Sequence, residues 1–393
     1  MAPAKTGLVQ QTNRSAMPKQ MSRHSSVLKA PRRQAGNPRP HSGEPSHGPL
    51  TAEELQLAVR NHSMPLEALR NDTTPPGLHY VLTHFDIPFI DAGNWHLRIG
   101  GAVQRSVELS LRALLRAPSI TLPVTLECAG NGRSLLRPRP LSQPWVLEGV
   151  GTAVWTGVPL AYLLARAGVE DDAVEVLFSG ADSGVQGGVP QQYARSLPIE
   201  EALRPDVLLA YRMNGAELPP QHGYPLRLVV PGWYGMASVK WLSSIKVLTR
   251  PYEGFQQAVA YRYQHDADDA GTPVTWMKVR SLMVPPGVPD FFTRSRILPA
   301  GPVMLTGRAW SGQGAVQRVD VGIDGKWAPA QLEHPASPFA WCAWSMPWVA
   351  DSGEHELACR AADSSGAVQP LESVWNYQGM GNNVVQRIQV SVQ

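Results

Sequence analysis

After about residue 272 the sequence loses its helical periodicity and breaks into short alternating apolar runs, and this switch limits the fold more than any other feature. The runs are Val303–Gly307, Val319–Ile323, Trp341–Trp344, Glu356–Arg360 and Val384–Val392. Asp324-Gly325 follows Val319-x-Val321-x-Ile323, a dipeptide suited to the left-handed backbone of a two-residue hairpin turn. Strands at that spacing, with tryptophan and proline between them, predict an all-β immunoglobulin-like sandwich over residues 273–393. Upstream, residues 51–272 mix both element types. Strand candidates are Trp95–Ile99, Leu122–Cys128, Val174–Phe178, Leu226–Val230 and Val239–Leu248. Short helices are expected from a capping box at Thr51-Ala-Glu-Glu54 to about Arg60, over Pro159–Ala167 with Gly168 as its stop, and over Pro198–Leu203. The expected architecture is an α+β domain followed by the sandwich.

Charge is distributed unevenly. Residues 1–50 carry eight Lys and Arg against the single acid Glu44, a charge of +7 that leaves −4 for the rest of the chain. This segment is rich in Pro, Ser and Gln and poor in apolar runs, so a disordered, solvated tail is expected. A transit peptide or a nucleic-acid-binding arm are the alternatives. Arg32-Arg33 is followed by no apolar segment of the kind an export signal needs, and no run approaches the ~20 apolar residues of a membrane span. A cytoplasmic protein is expected on that basis. Three cysteines supply no disulfide framework, and no Cys-x-x-Cys pair suggests a zinc ribbon or iron–sulfur cluster. Cys342 and Cys359 lie in alternating apolar segments and read as buried core thiols.

Cys128 is different. A strand-like stretch delivers it to a turn of small residues, Ala129-Gly130-Asn131-Gly132, with Arg133 next. A thiolate presented there can ligate a metal or act as a nucleophile. Three further clusters carry chemistry: His222-Gly-Tyr-Pro-Leu-Arg227, the loop from Pro231 through Ser238-Val239-Lys240-Trp241, and Ala260-Tyr261-Arg262. Basic groups beside Gly-rich turns suit an anionic ligand such as phosphate. The absence of a Walker A motif or a dinucleotide glycine fingerprint excludes an ordinary nucleotide site.

Together these segments, in this order, resemble the sulfite oxidase family of molybdopterin-dependent oxidoreductases over about residues 76–393. The resemblance implies one Mo-molybdopterin per chain, with Cys128 as the thiolate ligand to molybdenum. It implies that Tyr80, His84, Asp182, His222, Arg227, Ser238, Val239 and Lys240 hold the pterin and its phosphate. It also makes Tyr261 the active-site tyrosine, with Trp145 and Arg133 in the substrate pocket, and the sandwich a dimerisation domain.

Two positions depart from the pattern of sulfite-oxidising members. Leu82, two residues before His84, and Gln378, in Trp375-Asn376-Tyr377-Gln378-Gly379, stand where those members carry arginines. Sulfite is a small dianion, and each charge-assisted hydrogen bond to it contributes about 1.5–3 kcal/mol. The expected activity is therefore two-electron oxygen-atom transfer on a small-molecule substrate other than sulfite. Alternatives are a sulfite dehydrogenase with a remodelled pocket, an S- or N-oxide reductase, cysteine-nucleophile catalysis with His222 as base, and a non-catalytic binding module. A homodimer and an external electron carrier such as a cytochrome are the expected partners, with no nucleic acid and no membrane span.

Overall fold

The computed structural model describes residues 48–393. The expectation for the basic segment 1–50 thus falls almost wholly outside the described residues. The first helix of the described residues is Ala52–Arg60. The Thr51 hydroxyl accepts from the Glu54 amide, and the Glu54 carboxylate accepts from the Thr51 amide, closing the capping box.

The first domain is built on two five-stranded sheets. One runs Val107–Ser110, His96–Gly101, Leu242–Leu248, Glu175–Gln186, Val189–Pro198 in spatial order. The other runs Ile120–Glu127, Val150–Pro159, Leu208–Met213, Ala216–Glu217, with Arg227–Val229 also pairing to Leu208–Met213. The helix Leu160–Ala167 ends at Gly168, which adopts a left-handed backbone at φ 70°. Leu160, Leu163 and Leu164 recur on its buried face and join Leu97, Phe178 and Ile245 in one core.

Strand alternation decides what reaches the other face of the second sheet. Leu209 and Leu228 enter the core just described, whereas Leu208, Ala210 and Val229 pack with Cys128, Trp145 and Trp155. Arg227 shares the face of Val229, so the same alternation that buries Leu228 in one core sends Arg227 toward the other.

The C-terminal sandwich stacks a four-stranded sheet on a six-stranded one. The first contains Arg280–Met283, Gly301–Trp310, Cys342–Ala350 and Gln331–Leu332. The second contains Val288–Pro289, Arg296–Leu298, Gln386–Val392, Gly353–Asp363, Val316–Ile323 and Lys326–Pro329. Asp324 and Gly325 take φ 50° and 77° between paired Ile323 and Lys326, as the hairpin signal requires. Cys342 and Cys359 are buried between the sheets. A further apolar cluster, with Tyr234, Met277, Leu282 and Trp310, joins the sandwich to the first domain.

Several boundaries differ from the sequence expectation. The strand expected from Val239 begins at Leu242, because Trp241 adopts a positive φ of 49° that extended backbone cannot contain. Pro198–Leu203 forms only the single turn Ile199–Ala202. Among the described residues, no helix is long and apolar enough to cross a membrane.

Candidate active site

The strand Ile120–Glu127 ends at the Cys128 turn, which is closed by hydrogen bonds from Asn131 N to Cys128 O (2.9 Å) and from Arg133 N to Gly130 O (3.1 Å). Gly130 has no side chain because the Arg133 guanidinium lies against its α-carbon. Gly132 combines φ 88° with a close approach: a Cβ there would sit 2.6 Å from Asn382 O. Gly132 is thus required by backbone shape and by packing, and Gly130 by the place of the Arg133 guanidinium.

Tyr80, His84, Cys128, Asp182, His222, Arg227, Ser238, Lys240 and Tyr261 line one cavity, together with His79, Tyr193 and Trp241. A second pocket, about 940 Å³ in volume, lies beside it, and the two share Leu82, His84, Cys128 and Tyr261 in their walls. Trp145, Arg133 and Gln378 line only the second pocket. Val239 lines neither. Its side chain packs in the core with Leu226 and Leu242, while its neighbours Ser238 and Lys240 face the cavity. Within the run that the resemblance assigns to the cofactor, Val239 thus offers its backbone rather than its side chain.

Two basic side chains, Arg227 and Lys240, stand in the wall of the narrow cavity. Arg227 is buried, and its guanidinium donates to the carbonyls of His222 (3.1 Å), Ser238 (3.1 Å) and Leu228 (3.4 Å), 4.7 Å from the centre of the Trp155 ring. Lys240 Nζ donates to Leu82 O and Gln221 O, each at 2.9 Å. These carbonyls orient the two cations without cancelling their charge. Burial, together with the Arg227 charge, lowers the Lys240 amine to about 7; burial lowers Arg227 to about 10. Burial likewise drives His222 down to about 2 and His79 to about 4, so both imidazoles are neutral hydrogen-bonding groups. The His222 Nε2 atom is buried with no partner inside the protein. Asp182, raised to about 6 by burial against the opposing pull of Lys240, is the carboxyl in this wall.

Cys128 is also buried, which pushes its thiol up, while the Arg133 charge acts in the opposite direction. Among the described residues no group of three or more His, Cys, Asp or Glu converges as a metal site. A single cysteine sulfur between the two pockets therefore suits a metal whose remaining ligands arrive on the cofactor. The residues present fit Mo-molybdopterin: two cations for a phosphate, neutral imidazoles and a serine for a heterocycle edge, and one sulfur for the metal.

Arg133 stands in the wall of the second pocket, with its donors turned to the protein. Its donors go to Gln378 O (3.0 Å), Gln143 O (3.2 Å) and Met380 Sδ (3.3 Å), so the side chain braces the C-terminal segment 378–380 against the Cys128 turn. Tyr261 is buried in a left-handed backbone conformation with φ 58°. Its phenol is pushed to about 12 by burial and by the Cys128 charge; the Arg195 guanidinium, 5.4 Å from the ring centre, acts the other way. His79 and Tyr193 were not singled out by the sequence reading. His79 could have been noticed beside Tyr80; Tyr193 lies in a strand with no local signal.

Residues 84–256 match the oxidoreductase molybdopterin-binding domain family, and residues 272–393 match the Mo-co oxidoreductase dimerisation domain. The NADH nitrate reductase of Solanum lycopersicum is 34% identical over 370 residues, covering 84% of this chain and 40% of that protein. That of Cichorium intybus is 35% identical over 350 residues, covering 81% and 38%. The chain thus spans about two fifths of the length of these relatives. The crystal structure of the sulfane dehydrogenase SoxCD from Paracoccus pantotrophus superposes with a TM-score of 0.73 at 27% identity, covering 88% of this chain and 93% of that one.

Proposed function

This chain belongs to the molybdopterin-binding oxidoreductases that carry a Mo-co dimerisation domain, and from that membership we propose that it transfers an oxygen atom, with two electrons, to or from a low-charge sulfur centre. When bound, the cofactor supplies a metal centre able to exchange both. Cys128 would hold the metal, Arg227 and Lys240 would neutralise the cofactor phosphate, and His222 and Ser238 would meet the pterin edge. Tyr261 would place its hydroxyl where the cavity and the pocket meet, orienting the substrate atom that faces the metal.

The observation that carries the substrate reading is the pocket at Cys128. It offers about 940 Å³, far more than sulfite or nitrate fills. Leu82 and Gln378 stand in its wall, and Arg133 is engaged by protein partners. Small anions need cationic, bidentate donors free to turn toward them. The SoxCD name refers to sulfane sulfur, a sulfur bonded to sulfur, and this chemistry suits the pocket better than the nitrate for which the plant relatives are named. The dimerisation domain supports a homodimer, and an external carrier such as a cytochrome would exchange the electrons.

Steady-state assay of holoenzyme with sulfite, nitrate, an organic persulfide and a dialkyl sulfoxide, using artificial electron acceptors and donors, tests the proposal. The sulfur substrates of low charge are expected to have the higher kcat/KM. A value of ~10⁶ M⁻¹s⁻¹ or more for sulfite or nitrate would overturn it.

A further inference from the structure

Tyr261 is held in place by a residue from the far end of the chain. We infer that Gln378 is a positioning residue for the reaction, fixing Tyr261 relative to the Cys128 turn; this rests on the reading of Tyr261 as the hydroxyl of the pocket.

The Gln378 side chain brackets Tyr261 on both sides. Its Oε1 accepts from the Arg262 amide (3.2 Å), the peptide N–H that follows Tyr261. Its Nε2 donates to Val259 O (2.9 Å) and to Gln264 Oε1 (2.5 Å). One primary amide thus satisfies an acceptor before Tyr261 and a donor after it. A flipped amide would set its NH₂ against the Arg262 N–H, so the orientation follows from the partners. No other side chain of this length both accepts and donates in this way without titrating: arginine lacks the acceptor, ionised glutamate lacks the donor, and methionine has neither of useful strength.

Tyr261 needs such a restraint. A φ of 58° is unfavourable for a residue with a Cβ and persists only where its surroundings impose it. The neighbouring backbone supplies Val274 N to Tyr261 O (2.9 Å) and Tyr377 N to Gln264 O (2.8 Å). The phenol ring lies 5.4 Å from the Arg195 guanidinium, which is itself bonded to Gln256 O. Gln378 adds the tie to the metal side. Its own carbonyl accepts from Arg133 Nε (3.0 Å), five residues after Cys128, and Gly381 N donates to Ala129 O (2.6 Å). A continuous set of bonds therefore runs from the Cys128 turn through Arg133 and Gln378 to both sides of Tyr261. A shift of about 1 Å in such a group is enough to cost on the order of 10²-fold in rate.

The test compares Gln378→Met and Gln378→Glu with the wild-type holoenzyme. Hydrogen exchange of the segment 259–264 is read by mass spectrometry, beside molybdenum and pterin content and the pH profile of kcat. In Gln378→Met the segment is expected to exchange at least about tenfold faster at unchanged cofactor content, with kcat falling by a similar factor and KM within about twofold, as for an interaction that matters only in the transition state. In Gln378→Glu the protonated carboxyl both accepts and donates, so kcat relative to wild type should recover as pH falls through the titration of the introduced group. A merely structural role would not produce that limb. Exchange within twofold of wild type in Gln378→Met would overturn the inference, as would a flat kcat ratio in Gln378→Glu. If Gln378→Met fails to fold, the Gln378→Glu profile decides alone. The exchange arm needs no substrate, so it stands even if Tyr261→Phe proves fully active and the reading of Tyr261 fails.

Discussion

The carboxylate of Glu127 and the guanidinium of Arg280 form an ion pair with both side chains almost fully enclosed, 2% and 1% exposed. Glu127 is the residue before Cys128, and Arg280 opens the first strand of the sandwich. The same carboxylate accepts from Asn131 Nδ2 (3.0 Å), inside the Cys128 turn, and from Trp310 Nε1 (2.9 Å), in the sandwich. The second domain is thereby bonded directly to the base of the metal-ligand turn.

Removing Glu127 should therefore damage more than one domain. A buried pair broken on one side leaves an uncompensated charge, at a cost of about 3–5 kcal/mol. Glu127→Ala is expected to lose stability of that order in denaturant titration and to lower cofactor content. A change below about 1 kcal/mol would show that solvent reaches Arg280 and that the pair is not enclosed in solution.

Cys128→Ser separates metal ligation from pterin binding. Arg227, Lys240 and His222 act on parts of the cofactor away from the sulfur, so pterin fluorescence after denaturation should remain while molybdenum falls well below one per chain. Retention of both with loss of turnover would instead favour a nucleophilic thiol.

The sequence carried these elements unevenly, for physical reasons. The capping box at Thr51, the left-handed stop at Gly168 and the Asp324-Gly325 turn are local devices, and local spacing is enough to reveal them. The Cys128 turn was legible because its glycines are needed at neighbouring positions. The run 238–240 faces the cavity and the core alternately, and a linear motif does not say which side Val239 takes. Tyr193 and Arg195 come from the strand Val189–Pro198 and meet Tyr261 through side-chain contacts made only in the folded chain, so nothing within their own segment announced them. The braced state of Arg133 depends on a carbonyl 245 residues away.

Lys240 makes the cofactor-free protein sensitive to pH. Its amine titrates near 7 in the folded chain against an ordinary 10.5. Between those values the unfolded state binds the additional proton, so this group makes stability rise with pH across the window. Relative to Lys240→Met, wild-type apoprotein should gain stability from pH 7 to pH 10, as measured by denaturant midpoints at each pH. Anionic cofactor restores the charged amine, so the holoprotein should show a smaller slope. A wild-type-minus-variant difference that falls with pH would contradict a buried, depressed amine.

Leu82→Arg tests whether the missing charge withholds small anions. Leu82 contributes its carbonyl to Lys240, a bond that a side-chain substitution leaves in place, and the residue stands in the wall of the pocket with Cys128 and Tyr261. An arginine there gains at least one charge-assisted bond to a bound dianion, about 1.5–3 kcal/mol, or roughly a 10–100-fold lower KM for sulfite. The 940 Å³ pocket gives the longer side chain room, and cofactor content measured beside KM shows whether the packing of Leu82 on the Cys128–Trp155 cluster is kept. The low-charge sulfur substrates should meanwhile lose affinity, because the arginine desolvates on their approach with nothing to pair with. Opposite movement of the two KM values is the expected signature. A parallel change in both would mean that pocket volume, not charge, sets the preference.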